Sequence, residues 1–230
     1  MKQYTHIFFD LDETLWDFKS NSGETIAEVC QLYDFESRGV DSVLFCERYH
    51  YHNSIFWDLF RKGMIAREEL RLVRFTSVLN EFELTDMDLA KSMAESYLKI
   101  LPTKTKLYDD VHDVLTYLQA KYSLHIITNG FEEVQAMKLR NSGITAYFKY
   151  VISSEMAGTQ KPNREIFKYA FSLANATVID SIFIGDSIDA DIQGAKSVGM
   201  DHVLFNPDKI QHAETVTHEI HALRELKYFL

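Results

Sequence analysis

Two aspartates at a spacing of two residues, Asp10 and Asp12, follow directly on the apolar run Ile7-Phe8-Phe9. Paired carboxylates can divide a group transfer between them: one attacks, the other moves protons, and a cation moderates their repulsion. Three further stretches offer complementary chemistry. Thr128-Asn129-Gly130 supplies a hydroxyl and successive main-chain amides ahead of a helix, the makings of a phosphate cradle. Lys161, before Pro162-Asn163, places a point positive charge at another helix start. Gly185-Asp186-Ser187-Ile188-Asp189-Ala190-Asp191 holds three acids within six residues, a density that needs either a cation or full solvation. Oxygen donors around an open position suit Mg²⁺. Taken singly, each stretch also reads as an acidic turn, a capped helix start or an exposed lysine.

These groups must be delivered by elements. The run at 7–9 is too short for a helix and reads as a buried parallel strand, whose carboxyl end carries Asp10 to the sheet edge where ligands bind in open α/β folds. From Pro102 onward the pattern alternates. Helices are expected near 110–121, 132–141 (closed by Gly143), within 162–174, at 189–198 (ended by Gly199) and at 219–228. Strands are expected at 124–128, 150–153, 181–185 and 202–205. Asp186 follows an apolar strand and should meet Asp10 at a switch between neighbouring strands. Between these parts, segments near 20–33, 41–62, 66–82 and 85–100 carry apolar residues at helical spacing, as in Leu44, Tyr51, Ile55 and Leu59. Asp41-Ser42, Thr85-Asp86 and Asn21 or Ser22 read as their N-caps, with Gly39 and Gly63 at the breaks. The expected fold class is α/β: a Rossmann-like parallel sheet core over 1–16 and 101–230, with an all-helical domain inserted at 17–100.

Composition narrows the function classes. The 230 residues carry a formal net charge of -10, which argues against nucleic-acid polymers and anionic membrane surfaces as partners. It leaves open a small anionic substrate bound in a cleft. No stretch approaches a membrane span, the start lacks a signal-peptide layout, and Cys30 and Cys46 show no CxxC pattern, so a reduced cytoplasmic setting is expected. The insert is rich in aromatic residues, among them Tyr49, Tyr51, Phe56, Trp57 and Phe60. Such rings either fill a helical core or stack on a base. Trp16 and Phe18, just after the first aspartates, are the best placed to touch a substrate.

Together, IFFDLDETL, IITNG, KPN with the following IF-YA, and GDSIDADIQGA resemble, in order, the four motifs of the haloacid dehalogenase (HAD) superfamily. The insert resembles a helical cap of the C1 type, and the whole layout is similar to the YjjG/YfnB-like pyrimidine 5′-nucleotidases. The resemblance implies the HAD fold and a Mg²⁺-dependent phosphate monoester hydrolase acting through an aspartyl-phosphate, with nucleoside monophosphates as substrates. It implies that Asp10 is the nucleophile and Asp12 the general acid and base. Thr128, Asn129 and Lys161 would bind the phosphoryl group. Asp10, the Asp12 main-chain carbonyl and Asp186 would bind Mg²⁺, with Asp191 in the outer shell. Asp189 matches no role. A sugar-phosphate phosphatase or phosphomutase of the same superfamily is the alternative, and a phosphate-binding regulatory module without turnover is another. The acid at position 12 speaks against a 2-haloacid dehalogenase, which lacks one there, and against a phosphonatase. The expected partner is a small phosphorylated metabolite, and the expected assembly a monomer or homodimer.

Overall fold

In the computed structural model, which describes residues 3–230, the chain divides into two compact units, Met1–Phe18 with Thr105–Leu230 and Lys19–Lys104. The strands are β1 (His6–Phe9), β2 (Ser123–Thr128), β3 (Tyr150–Ser153), β4 (Ser181–Gly185), β5 (Asp201–Phe205) and β6 (His218–Ile220). The α-helices are α1 (Phe18–Leu32), α2 (Ser42–Arg61), α3 (Arg67–Glu81), α4 (Met87–Ile100), α5 (Val111–Gln119), α6 (Glu132–Asn141), α7 (Ser154–Ala157), α8 (Arg164–Ala174) and α9 (Gln193–Ser197).

The first unit is a six-stranded sheet in the order β3-β2-β1-β4-β5-β6, and every neighbouring pair is parallel. The order reverses between β1 and β4, which makes their carboxyl ends the switch point of a Rossmann-like sheet. Strands this short form because both faces are covered. Phe8, Ile127, Ile152 and Phe183 are fully buried on one face against Ile166, Phe167, Ala170 and Ala174 of α8. Removing each large side chain from water contributes about 1.5–3 kcal/mol. The helix α8 begins where Asn163 accepts a hydrogen bond from the Glu165 N–H (3.0 Å) and ends at Asn175 in the left-handed region. Nearby, Gly194 lets the backbone pass against Phe167, whose ring a Cβ would meet at 2.5 Å.

The second unit is helical. The Asp41 side chain caps α2 through the N–H groups of Val43 (2.8 Å) and Leu44 (3.3 Å), and Asp86 caps α4 in the same way, as the sequence predicts. Its interior is aromatic: Tyr49, Phe75 and Tyr97 are buried with ring centroids 5.0–5.6 Å apart. A buried Arg74 lies beside them, donating to the Leu70 carbonyl (3.0 Å) and Asn53 Oδ1 (2.8 Å). Tyr51, by contrast, is exposed, and Phe56, Trp57 and Phe60 are half-buried.

Three expectations need correction. The helix α1 starts at Phe18, so Asn21 and Ser22 are not its caps but buried residues inside it; Ser22 Oγ bonds Tyr97 Oη (2.8 Å). The expected helix at 219–228 is the edge strand β6 followed by a 3₁₀ turn, Leu223–Tyr228. Pairing of β6 with β5 captures the segment, because the edge of β5 satisfies its backbone groups. The helix expected at 189–198 opens instead as a wide π turn, Ile188–Ile192, before α9.

Candidate active site

The site begins at the switch point. β1 and β4 run in register with Phe9 opposite Ile184, and the Asp10 N–H donates to the Ile184 carbonyl (2.9 Å). Asp10 and Asp186 therefore leave the sheet side by side. Lys161, just before α8, is buried and donates from Nζ to Asp10 Oδ1 (2.5 Å) and Asp191 Oδ1 (2.7 Å). The π turn brings Asp191 back toward the strand end, where its Oδ2 accepts the Ser187 N–H (3.0 Å). Gly185 makes room for this, since a Cβ there would lie 2.3 Å from Asp191 Oδ2. The Thr14 hydroxyl donates to Asp186 Oδ1 (3.3 Å).

One carboxylate oxygen from each of Asp10, Asp186 and Asp191 lies within 4.8 Å of the others. With Lys161, these groups carry a net charge of -2 when all are ionised. The local electrostatics register that excess. Burial pushes the Asp10 carboxyl up to about 7, with Lys161 pulling it back and Asp191 pushing further. Burial, then Asp191 and Asp10, hold Asp186 well above the ordinary carboxylate range. Burial would lower Lys161, but Asp10 and Asp191 outweigh it and keep the ammonium firmly charged. A divalent cation would cancel the excess, and an oxygen-only donor set fits magnesium. Asp191 stands with the other two carboxylates in this cluster, its two oxygens accepting from Lys161 Nζ and the Ser187 N–H.

Asp12 faces elsewhere. Its Oδ1 accepts Lys138 Nζ (2.5 Å) and its Oδ2 accepts Gln135 Nε2 (2.8 Å), both from α6. Thr128 Oγ1 accepts the Gly130 N–H (3.1 Å) and a second bond from Gln135 Nε2 (2.7 Å), which leaves its own proton to donate. Asn129 differs from expectation: its amide spans the Lys161 backbone, donating to the carbonyl (2.9 Å) and accepting the N–H (2.7 Å). Its side chain thus fixes the segment that carries Lys161 instead of facing a cradle. Trp16 is fully buried, with Lys138 Nζ 4.2 Å from its ring centroid, and Phe18 is half-buried beside it. Asp189 is exposed. Asp10, Lys161, Asp186 and Asp191 are thus brought together, while the side chain of Asp12, the third residue of the expected metal set, forms a neighbouring cluster with α6.

Sequence reasoning missed Gln135, Lys138, Thr14 and Ser187. Gln135 and Lys138 stand at i, i+3, one face of a helix that starts just after the Thr128 loop, and that spacing was the available signal. Their burial could not be read from residue type, since such side chains are mostly exposed.

Comparison with known proteins gives the family. The sequence model of the family described as "Haloacid dehalogenase-like hydrolase" matches residues 7–205. The HAD-hydrolase YfnB of Bacillus subtilis is 32% identical over 233 residues, covering 100% of this chain and 97% of its own. The pyrimidine 5′-nucleotidase PynA of Streptococcus pneumoniae is 28% identical, covering 97% of this chain and 93% of its own. YjjG of Escherichia coli, also a pyrimidine 5′-nucleotidase, is 28% identical, covering 97% and 96%. The crystal structure of YfnB bound to magnesium, which reveals interdomain movement, superposes with a TM-score of 0.89 over 99% of this chain and 98% of its own.

Proposed function

The chain belongs to the haloacid dehalogenase-like hydrolases, and from that premise we propose that it is a Mg²⁺-dependent 5′-nucleotidase that prefers pyrimidine nucleoside monophosphates. As an enzyme it is a phosphoric monoester hydrolase. The observation that carries the reading is the convergence of Asp10, Lys161, Asp186 and Asp191 at the β1/β4 switch point, with a second, separately held carboxylate on Asp12.

In the first half-reaction an Asp10 carboxylate oxygen attacks phosphorus, the bond to the leaving oxygen breaks, and Asp12 gives that oxygen a proton. In the second half-reaction Asp12 takes a proton from water, the water oxygen attacks phosphorus, and the bond to Asp10 breaks to release phosphate. Lys161 has donors for three acceptors and uses two on Asp10 and Asp191, so the third serves a phosphoryl oxygen. Thr128 donates its hydroxyl proton to another, and the Asn129 main-chain N–H completes the cradle, the Gly130 N–H being held by Thr128 Oγ1. Asp10, the Asp12 main-chain carbonyl and Asp186 would hold Mg²⁺ directly, with Asp191 at the edge of that set. The bound ion supplies charge neutralisation between the attacking carboxylate and the phosphoryl group. These groups recognise only phosphate, so discrimination among leaving groups falls to residues outside them, in the helical unit acting as a cap and at Phe18; Trp16, expected beside it, is fully buried and has no face to offer a substrate.

The test is phosphate release from UMP, dUMP, dTMP, AMP, GMP and a set of hexose and triose phosphates, each with Mg²⁺ and with EDTA. The expected result is EDTA-sensitive turnover with the highest kcat/KM on pyrimidine nucleotides. Preference over purines should be partial, about 10–200-fold, because one ring contact changes transition-state binding by only ~1–3 kcal/mol. A hexose phosphate exceeding every nucleotide tenfold would favour the sugar-phosphate alternative.

A further inference from the structure

We propose that Lys138 and Gln135, on one face of α6, are the positioning residues that hold the Asp12 carboxylate in the orientation from which it exchanges a proton with the leaving oxygen. The inference rests on the reading of Asp12 as acid and base. Its own basis is a small network. Each oxygen of Asp12 has its own donor, Lys138 Nζ on Oδ1 (2.5 Å) and Gln135 Nε2 on Oδ2 (2.8 Å). Two donors on two oxygens fix both the plane of the carboxylate and its rotation, which a single contact would leave free.

Both donors are themselves held. Gln135 is buried and its Nε2 also donates to Thr128 Oγ1 (2.7 Å), tying Asp12 to the loop that carries Thr128. The amide orientation follows from this: the opposite flip would set the carbonyl oxygen against a carboxylate. Lys138 is 3% exposed, and its ammonium lies 4.2 Å from the Trp16 ring centroid and 5.5 Å from that of Phe18. The ring face favours the cation, so the aromatic residues after Asp12 hold the lysine that holds Asp12. Trp16 is returned to this position by a bridge to Asp12 and by the Glu13 N–H bonded to its carbonyl (2.9 Å).

A positioning role predicts a dependence on the leaving group. p-Nitrophenolate departs without a proton, whereas the 5′-oxygen of a nucleoside needs one. The measurement is kcat/KM, which for this two-step scheme reports only events through the first bond cleavage. For Lys138→Met we expect kcat/KM on UMP to fall about 10²-fold, within the usual reach of general acid catalysis, and on p-nitrophenyl phosphate to fall by less than about threefold. Lys138→Arg, which keeps the charge and the donors, should recover UMP hydrolysis to within about tenfold of wild type. In an Asp12→Asn background Lys138→Met should add no more than about a twofold loss, because its partner is already gone. If Lys138→Met does not fold, Gln135→Met carries the same leaving-group prediction. Equal losses on the two esters, no loss on either, or an undiminished loss in the Asp12→Asn background would each overturn the positioning role while leaving the phosphatase reading intact. A wild-type protein that hydrolyses neither ester would remove that reading, and this inference with it.

Discussion

Lys161 is the residue on which the charge balance of the site turns. It is buried, and it answers two carboxylates at once while a third lies within reach of both. Removing one partner of a buried charged group costs about 3–5 kcal/mol, because the remaining charges stay desolvated. Lys161→Met should therefore lower stability by about 3 kcal/mol without metal, a figure at the low end because the carboxylates can take up protons. Mg²⁺ should restore part of that loss by binding the folded state. Urea unfolding with EDTA and with millimolar Mg²⁺ checks this; a loss that Mg²⁺ does not reduce would place the ion elsewhere. Asp10→Asn keeps the shape and removes a charge, so it should leave stability close to wild type while phosphate release falls at least about 10³-fold. Retained turnover in that variant would exclude Asp10 as the nucleophile.

Strands β1 and β2 carry a second polar feature, unrelated to the site. His125 on β2 is fully buried, stacked on Phe8 (4.7 Å) and Tyr150 (5.6 Å), with His6 Nδ1 3.1 Å from its Nε2. Burial, with His6 and Lys149 adding to it, lowers its pKa to about 4. Below the unfolded value of about 6.5 the unfolded chain binds a proton that the folded chain refuses. The contribution of His125 is thus complete above about pH 6.5 and drains away as pH falls toward 4. Linkage puts the loss at about 2 kcal/mol between pH 7.5 and pH 5, read from urea unfolding at the two values. His125→Phe should flatten that slope; an unchanged slope would assign it to other groups. A different element, the turn before α6, shows how geometry beyond local pattern enters. A Cβ on Gly130 would meet Gln135 Nε2 at 2.4 Å, so Gly130→Ala should displace Gln135 from Asp12 and Thr128. Hydrolysis of UMP should fall by about tenfold or more, while a fall below twofold would mean that Gln135 relocates without consequence. In the sequence, the strand ends that deliver Asp10, Thr128 and Asp186 are legible because each closes a short, mainly apolar run. The helix caps Asp41 and Asp86 are legible because capping is local. What is not legible depends on contacts distant in sequence. The segment 218–220 becomes a strand only because β5 offers an edge, Asn129 is spent on the Lys161 backbone 32 residues away, and Lys138 is buried by a loop more than a hundred residues earlier.

At the scale of the whole molecule, the chain passes between its two units at two places, Phe18–Lys19 and Lys104–Thr105. Each unit has its own interior, an α8-covered sheet in one and the Tyr49, Phe75 and Tyr97 cluster in the other. Core residues at the β1/β4 switch point recognise phosphate alone, so a leaving group must be sensed by something that reaches the site from outside the sheet. We infer that residues 19–104 act as a cap whose position responds to the occupied site. Closure of such a cap excludes water from the first step and positions the substrate. The hinges would then be the two crossings, one at the first residues of α1 and one before α5. Hydrogen exchange measured with and without Mg²⁺ plus a phosphate mimic such as beryllofluoride should show slower exchange near residues 16–20 and 101–106, with α8 and the strands of the sheet unchanged. Uniform slowing across the sheet would indicate simple stabilisation by ligand, and unchanged exchange at both crossings would mean that the helical unit does not respond to the site.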